Sequence, residues 1–126
     1  MRFWTAVPIA PPGQLAWFVK CLLEGLAFGC VPAWRQWGLP PLYRSGVRYA
    51  FEPEHGSGNE EFALPPTVYQ RGWGDCDDLV IYRLCELAVA AERASCRTEW
   101  RGPELHVLVR RGNGSLEDPA LLLMKP

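Results

Sequence analysis

The sequence predicts an α+β fold from three observations: an apolar stripe at helical spacing over 14–28, a capped helical run beginning at Cys76, and β-patterned segments crowded toward the C-terminus. Taken in order, residues 2–9 ("RFWTAVPI") carry the β-branched and aromatic residues of a strand, closed by the Pro-Pro-Gly turn at 11–13. Residues 14–28 follow as a helix, with Leu15, Phe18, Leu22 and Leu26 as its apolar stripe and Gly29 near its end. The stretch 31–48 is studded with Pro, Gly and Trp and reads as an ordered loop or short turns packed on the core. From Phe51 to Pro66 the chain is polar and Gly-rich, an expected exposed loop. A helix is expected over 76–94, then strands at 97–101, 105–111 and 116–117, with "GNGS" at 112–115 turning between the last two. These segments form one domain over 1–126, with a helix-rich part at 1–65 and a motif-bearing core at 66–126.

Composition narrows the function classes. At 126 residues the chain can bury one core without staples. A formal net charge of -1 gives no basic face for a nucleic-acid partner. The five cysteines (21, 30, 76, 85 and 96) contain no C-x-x-C pair and read as free thiols of a reducing compartment, which places the protein in the cytoplasm on synthesis. The apolar N-terminal region is interrupted by Pro8, Pro11, Pro12, Lys20 and Glu24, so no membrane span is expected there.

The motif "GWGDCDDL" at 72–79 sets a cysteine among three carboxylates. Asp75 suits a helix N-cap, with Asp78 three residues on completing a capping box. Cys76 is then the first helical residue, heading a stripe of Val80, Leu84, Leu87, Ala91 and Ala94. The helix dipole favours its thiolate, whereas the neighbouring carboxylates disfavour it. A small buried hydrophobe is the plain reading of such a cysteine. One of Asp77 and Asp78 is expected to hold Arg44, Arg48 or Arg71 and so latch the preceding loop.

Only two histidines could partner the thiol. His55 belongs to the Gly-rich loop. His106 lies in "LHVLVRR", where alternation sets Leu105, Val107 and Val109 on one face and His106 with Leu108 on the other. Asp118 then follows in "SLEDPA", suited to accept the imidazole N–H, while Glu117 faces the opposite way.

The order of Cys76 in "G-D-C", His106 in "H-V-x-V" and Asp118 in "D-P" resembles the transglutaminase-like superfamily of cysteine enzymes, over residues 70–119. "GWGDCDDL", with "YRSGVRY" at 43–49, is most similar to small members from tailed bacteriophages and prophages. The resemblance implies a papain-like α+β fold in which the Cys76 helix packs on an antiparallel sheet carrying His106 and Asp118. It implies Cys76 as nucleophile, His106 as the base that forms an ion pair with it, and Asp118 as orienter. The Cys76 N–H and Gln70 become oxyanion donors, Trp73 a cleft residue, and Gly72 and Gly74 the turn that admits a substrate.

The resulting expectation is a cysteine peptidase or amidase that attacks a peptide or isopeptide bond, forms a thioester and resolves it with water. Resolution by an amine would make it a cross-linking enzyme. The contrasting reading is a non-enzymatic structural or tail-assembly protein that docks on phage tail or virion proteins. No cofactor is called for. A metal held by Cys76, His106 and Asp118 lacks the anchoring pairs usual in such sites.

Overall fold

The computed structural model describes residues 12–50 and 62–124. The strand expected over 2–9 and most of the loop expected over 51–66, His55 included, lie outside them. Helix α1 spans Pro12–Gly29, and after a turn at Cys30 helix α2 spans Val31–Trp37. A single 3-10 turn, Leu42–Arg44, leads to strand β1, Arg48–Tyr49. Helix α3 (Pro65–Arg71) and strand β2 (Trp73–Gly74) precede the central helix α4, Cys76–Val89. Strands β3 (Ala94–Arg101), β4 (Glu104–Arg111) and β5 (Leu116–Glu117) follow, and helix α5, Pro119–Met124, closes the described chain. The fold is α+β, as expected.

Helix α4 is buried on most of its circumference, the carboxylates Asp77 and Asp78 included, and is enclosed on nearly every side. Leu79, Val80, Ile81, Tyr82, Leu84 and Cys85 are fully buried on it. Helices α1, α2 and α3 and the edge helix α5 pack around it together with β3 and β4. The sheet is antiparallel in the order β3-β4-β5, with Glu99 opposite His106 and Val109 opposite Glu117. Leu105, Val107 and Val109 point into the core and are fully buried, as the alternation requires. The "GNGS" hairpin forms where expected, closed by Arg111 N donating to Ser115 O at 2.8 Å.

Several sequence expectations are corrected. The stretch 31–48 contains a helix, α2, begun by Pro32 in its first turn and stopped by Gly38 in the left-handed conformation at φ 62°. Its Trp34 meets Tyr82 edge to face at 5.0 Å. Helix α1 buries Val19, Leu23 and Ala27, with Leu15 and Leu26 at the margins, while Phe18 is 53% exposed. The periodicity missed this face because α1 is apolar on most of its circumference, and packing on α4 and β3 makes the choice. Because of that composition, the helical run Gly13–Trp37 is long and apolar enough to cross a membrane by length and composition, with 22% of the window buried. A mostly buried core helix and a signal sequence both pass the same test. Within it Lys20 pairs with Glu24 at 2.6 Å, and Glu24 also accepts the Cys96 N–H at 2.8 Å, tying α1 to β3.

Helix α4 ends at Val89 and does not continue to Ala94. Glu92 N donates to Leu87 O at 2.9 Å across Ala91, which takes the left-handed conformation at φ 59°. This is a glycine position occupied by alanine, and the strain costs roughly 1 kcal/mol. Ala91→Gly is therefore expected to raise the melting temperature by a few degrees. A thermal melt that is unchanged or lower would show that no strain resides there.

Candidate active site

The site is built around the N-terminus of α4. Asp75 Oδ1 accepts the Asp78 N–H at 3.2 Å, and Asp78 Oδ2 accepts the Asp75 N–H at 3.3 Å, so the capping box is complete in both directions. Asp78, fully buried, also accepts Ala63 N–H at 2.8 Å and Arg71 Nη2 at 2.9 Å. The latch is thus Arg71. Arg48 is exposed and, among the described residues, joins the site through its backbone, donating N–H to Gly72 O at 3.0 Å. Arg71 outcompetes it because its Nε bonds Trp73 O at 2.8 Å and its guanidinium stacks on the Trp73 ring at 3.6 Å. Trp73 is accordingly half-buried under an arginine.

Strand β2 pairs in parallel with β1, setting Tyr49 beside Gly74, two residues before the cysteine. The packing of β2 on α4 answers why glycine stands at 74. A Cβ there would meet Asp78 Cβ at 3.1 Å and Leu79 Cδ2 at 3.3 Å, so Gly74 serves close packing on α4, whereas Gly72, at φ 83°, ends α3. Neither glycine is given over to a substrate path by this geometry.

Cys76 is half-buried, and its Sγ donates to Asp77 Oδ1 at 3.6 Å. Burial first, and then the Asp77 charge, push its thiol up to about 12. In the opposition between helix dipole and carboxylates, desolvation and Asp77 prevail, and the resting cysteine is a thiol at neutral pH. Burial likewise, with the charge of Asp75 beside it, pushes Asp78 up to about 7 against the pull of the Ala63 and Asp75 amides.

His106 Nε2 bonds Asp118 Oδ2 at 2.8 Å, with both side chains about 15% exposed. The Asp-Pro pair explains how the acid is held. Asp118 is the N-cap of α5, its Oδ1 accepting Leu121 N–H at 3.3 Å and its carbonyl accepting Leu122 N–H at 3.0 Å, while Pro119 takes the first helical position. One carboxylate oxygen caps the helix and the other orients the imidazole. Glu117 faces the other way, as expected, and binds Arg83 at 2.7 Å and Arg111 at 3.1 Å. That network pins β5 to α4, and so fixes where Asp118 begins.

The structure thus brings His106 and Asp118 into direct contact. Among the described residues no hydrogen bond joins His106 to Cys76, and Nδ1 is the ring nitrogen that the Asp118 bond leaves over. Gln70 is exposed in the last turn of α3 and has no hydrogen bond to Cys76, His106 or Asp118. A residue that the sequence reading did not place in the site is Tyr49. Its half-buried hydroxyl is raised by burial first, and then by the charges of Cys76, Asp75, Glu104 and Asp118, so it lies within electrostatic reach of both the thiol and the orienter. No local sequence signal marks it, since its position comes from a two-residue parallel pairing between distant segments. Asp75, Asp77 and Asp78 bring oxygens within 4.8 Å of one another, but Asp75 and Asp78 are engaged in the cap and with Arg71.

Comparison with models of known protein families, with curated proteins and with solved structures found no match.

Proposed function

We propose that the chain is a thiol-dependent acyl-transfer hydrolase of the transglutaminase-like, papain-like kind, cutting a peptide or isopeptide amide with Cys76, His106 and Asp118. The observation that carries this reading is the 2.8 Å bond between His106 Nε2 and Asp118 Oδ2, which fixes the imidazole and reserves Nδ1 for a proton. In the proposed reaction Cys76 Sγ attacks the carbonyl carbon and its proton passes to His106 Nδ1. The imidazolium then protonates the departing amine, and a water, deprotonated by the same nitrogen, resolves the thioester. Because the resting thiol is protonated, proton transfer accompanies attack, which replaces the preformed ion pair expected from the sequence. Such contacts are often long in an unliganded site and tighten when substrate binds. The Cys76 N–H at the start of α4 and the Tyr49 hydroxyl are the proposed oxyanion donors, in place of Gln70.

The proposed substrate is a protein or peptide. The setting we propose is synthesis in a cytoplasm with association to a virion, where tail or virion proteins would be partners. The test needs no natural substrate. Purified protein should release p-nitrophenol from p-nitrophenyl acetate with turnover, and Cys76→Ala should lose it. Equal release by both proteins would sink the proposal.

A second reading is favoured by the absence of a His106–Cys76 hydrogen bond and by the raised thiol. On that reading His106 and Asp118 tie β4 to α5 in a non-enzymatic assembly protein. It predicts that His106→Ala costs stability and changes no reactivity at Cys76.

A further inference from the structure

We infer that the outer face of α1 is a homodimer interface, on which a second copy of this chain packs its own α1 in antiparallel orientation. On a helical projection Gln14, Trp17, Phe18, Cys21, Gly25, Phe28 and Gly29 fall on one side, opposite the buried Val19, Leu23 and Ala27. All seven are exposed, and Gln14 is the one polar side chain among them. Trp17 is 67%, Phe18 53% and Phe28 44% exposed. A helix apolar on both sides requires cover on the side its own fold leaves open.

The shape of this face selects a second copy as the cover. Nothing lies within 4 Å of a Cβ built on Gly25 or Gly29, so a shallow groove of small residues runs between the aromatic side chains. An antiparallel pair with its two-fold axis level with Leu23 sets Cys21 opposite Gly25, Trp17 opposite Gly29 and Phe18 opposite Phe28. Large side chains then fill the groove of the partner, and the contact is isologous and closed. The three aromatics at these exposures leave roughly 350 Å² open per copy. With the small residues between them, paired helices bury on the order of 1,000 Å² in total, the threshold size for a biological interface and that of a weak, reversible dimer. A bilayer is the less suited cover. The Lys20–Glu24 pair, at 2.6 Å, flanks the face at mid-helix and would have to enter hydrocarbon.

The experiment is sedimentation velocity on the full chain across a range of concentrations, with Gly25→Leu and Trp17→Glu beside the wild type. Open space at Gly25 and the poor helix propensity of glycine mean that Gly25→Leu folds at least as well as the parent, which a thermal melt verifies. The expected result is a wild-type dimer of doubled mass and a dissociation constant raised at least about tenfold in either variant. A short bismaleimide should join two wild-type chains through Cys21 and fail with Gly25→Leu. A wild-type protein that stays monomeric, or a dimer indifferent to both substitutions, overturns the inference. So does a monomer that floats with phosphatidylcholine vesicles, which would make lipid the occupant.

Discussion

At acidic pH, Asp78→Ala is expected to lower folding stability by about 3 kcal/mol and the melting temperature by roughly 10 °C. Three donors converge on this fully buried carboxylate: Ala63 N–H at 2.8 Å, Arg71 at 2.9 Å and Asp75 N–H at 3.3 Å. Removing it leaves two backbone donors without an acceptor and frees the arginine that holds Trp73. Arg71 keeps partial access to solvent, with 27% of its side chain exposed, so the loss falls at the lower end for a broken buried pair. Asp78→Asn, which keeps an acceptor oxygen without the charge, should lose less.

The pH dependence has a definite sign. The folded-state value of Asp78 is raised from 3.8 to about 7, so the folded protein holds the proton longer than the unfolded chain. The contribution of Asp78 is therefore fully present below the unfolded value and is lost as pH rises through about 7. Chemical denaturation of wild type and Asp78→Ala across this range would check it: the wild-type stability should decline relative to the variant. At acidic pH, a loss under about 1 kcal/mol in Asp78→Ala would show that the cap is not held by Asp78.

His106→Ala is expected to cut ester turnover by about 10²–10⁴-fold at neutral pH, the range of a lost general base. The shape of the residual activity is more informative than its size. Without His106 the nucleophile must ionise into bulk solvent, and burial with Asp77 holds its pKa at about 12. Residual turnover should then climb about tenfold per pH unit up to that value, a dependence the wild type, which hands the thiol proton to His106, should not follow. Rates corrected for background hydrolysis would separate the two curves. Coincident profiles would remove His106 from the chemistry.

What the sequence made legible, and what it hid, follows from the range of the interactions involved. The capping box of Asp75 and Asp78 and the alternation that buries Leu105, Val107 and Val109 are local patterns, and they emerge with the geometry their spacing implies. The His106–Asp118 bond was also readable, because a strand, a short hairpin and a two-residue strand leave little freedom between them. Features set by distant packing were not readable. The choice of Arg71 over Arg48 rests on a stacked tryptophan and a backbone carbonyl. The inward face of α1 is chosen by α4 and β3, because both faces are apolar. Tyr49 reaches the site through a parallel pairing that joins residues far apart in the chain. The sign of the thiol shift depended on how deeply Cys76 is buried, a quantity that no motif encodes.

The central claim is that Cys76 forms a covalent thioester during turnover, and intact-mass spectrometry of protein quenched in acid during reaction with p-nitrophenyl acetate tests it most directly. The account predicts one acetyl group per chain, mapped to Cys76, which disappears on further incubation of the wild type and fails to form at neutral pH in His106→Ala. An acetyl group found on the exposed Cys21 with Cys76 unmodified, or a chain that carries none, would contradict it.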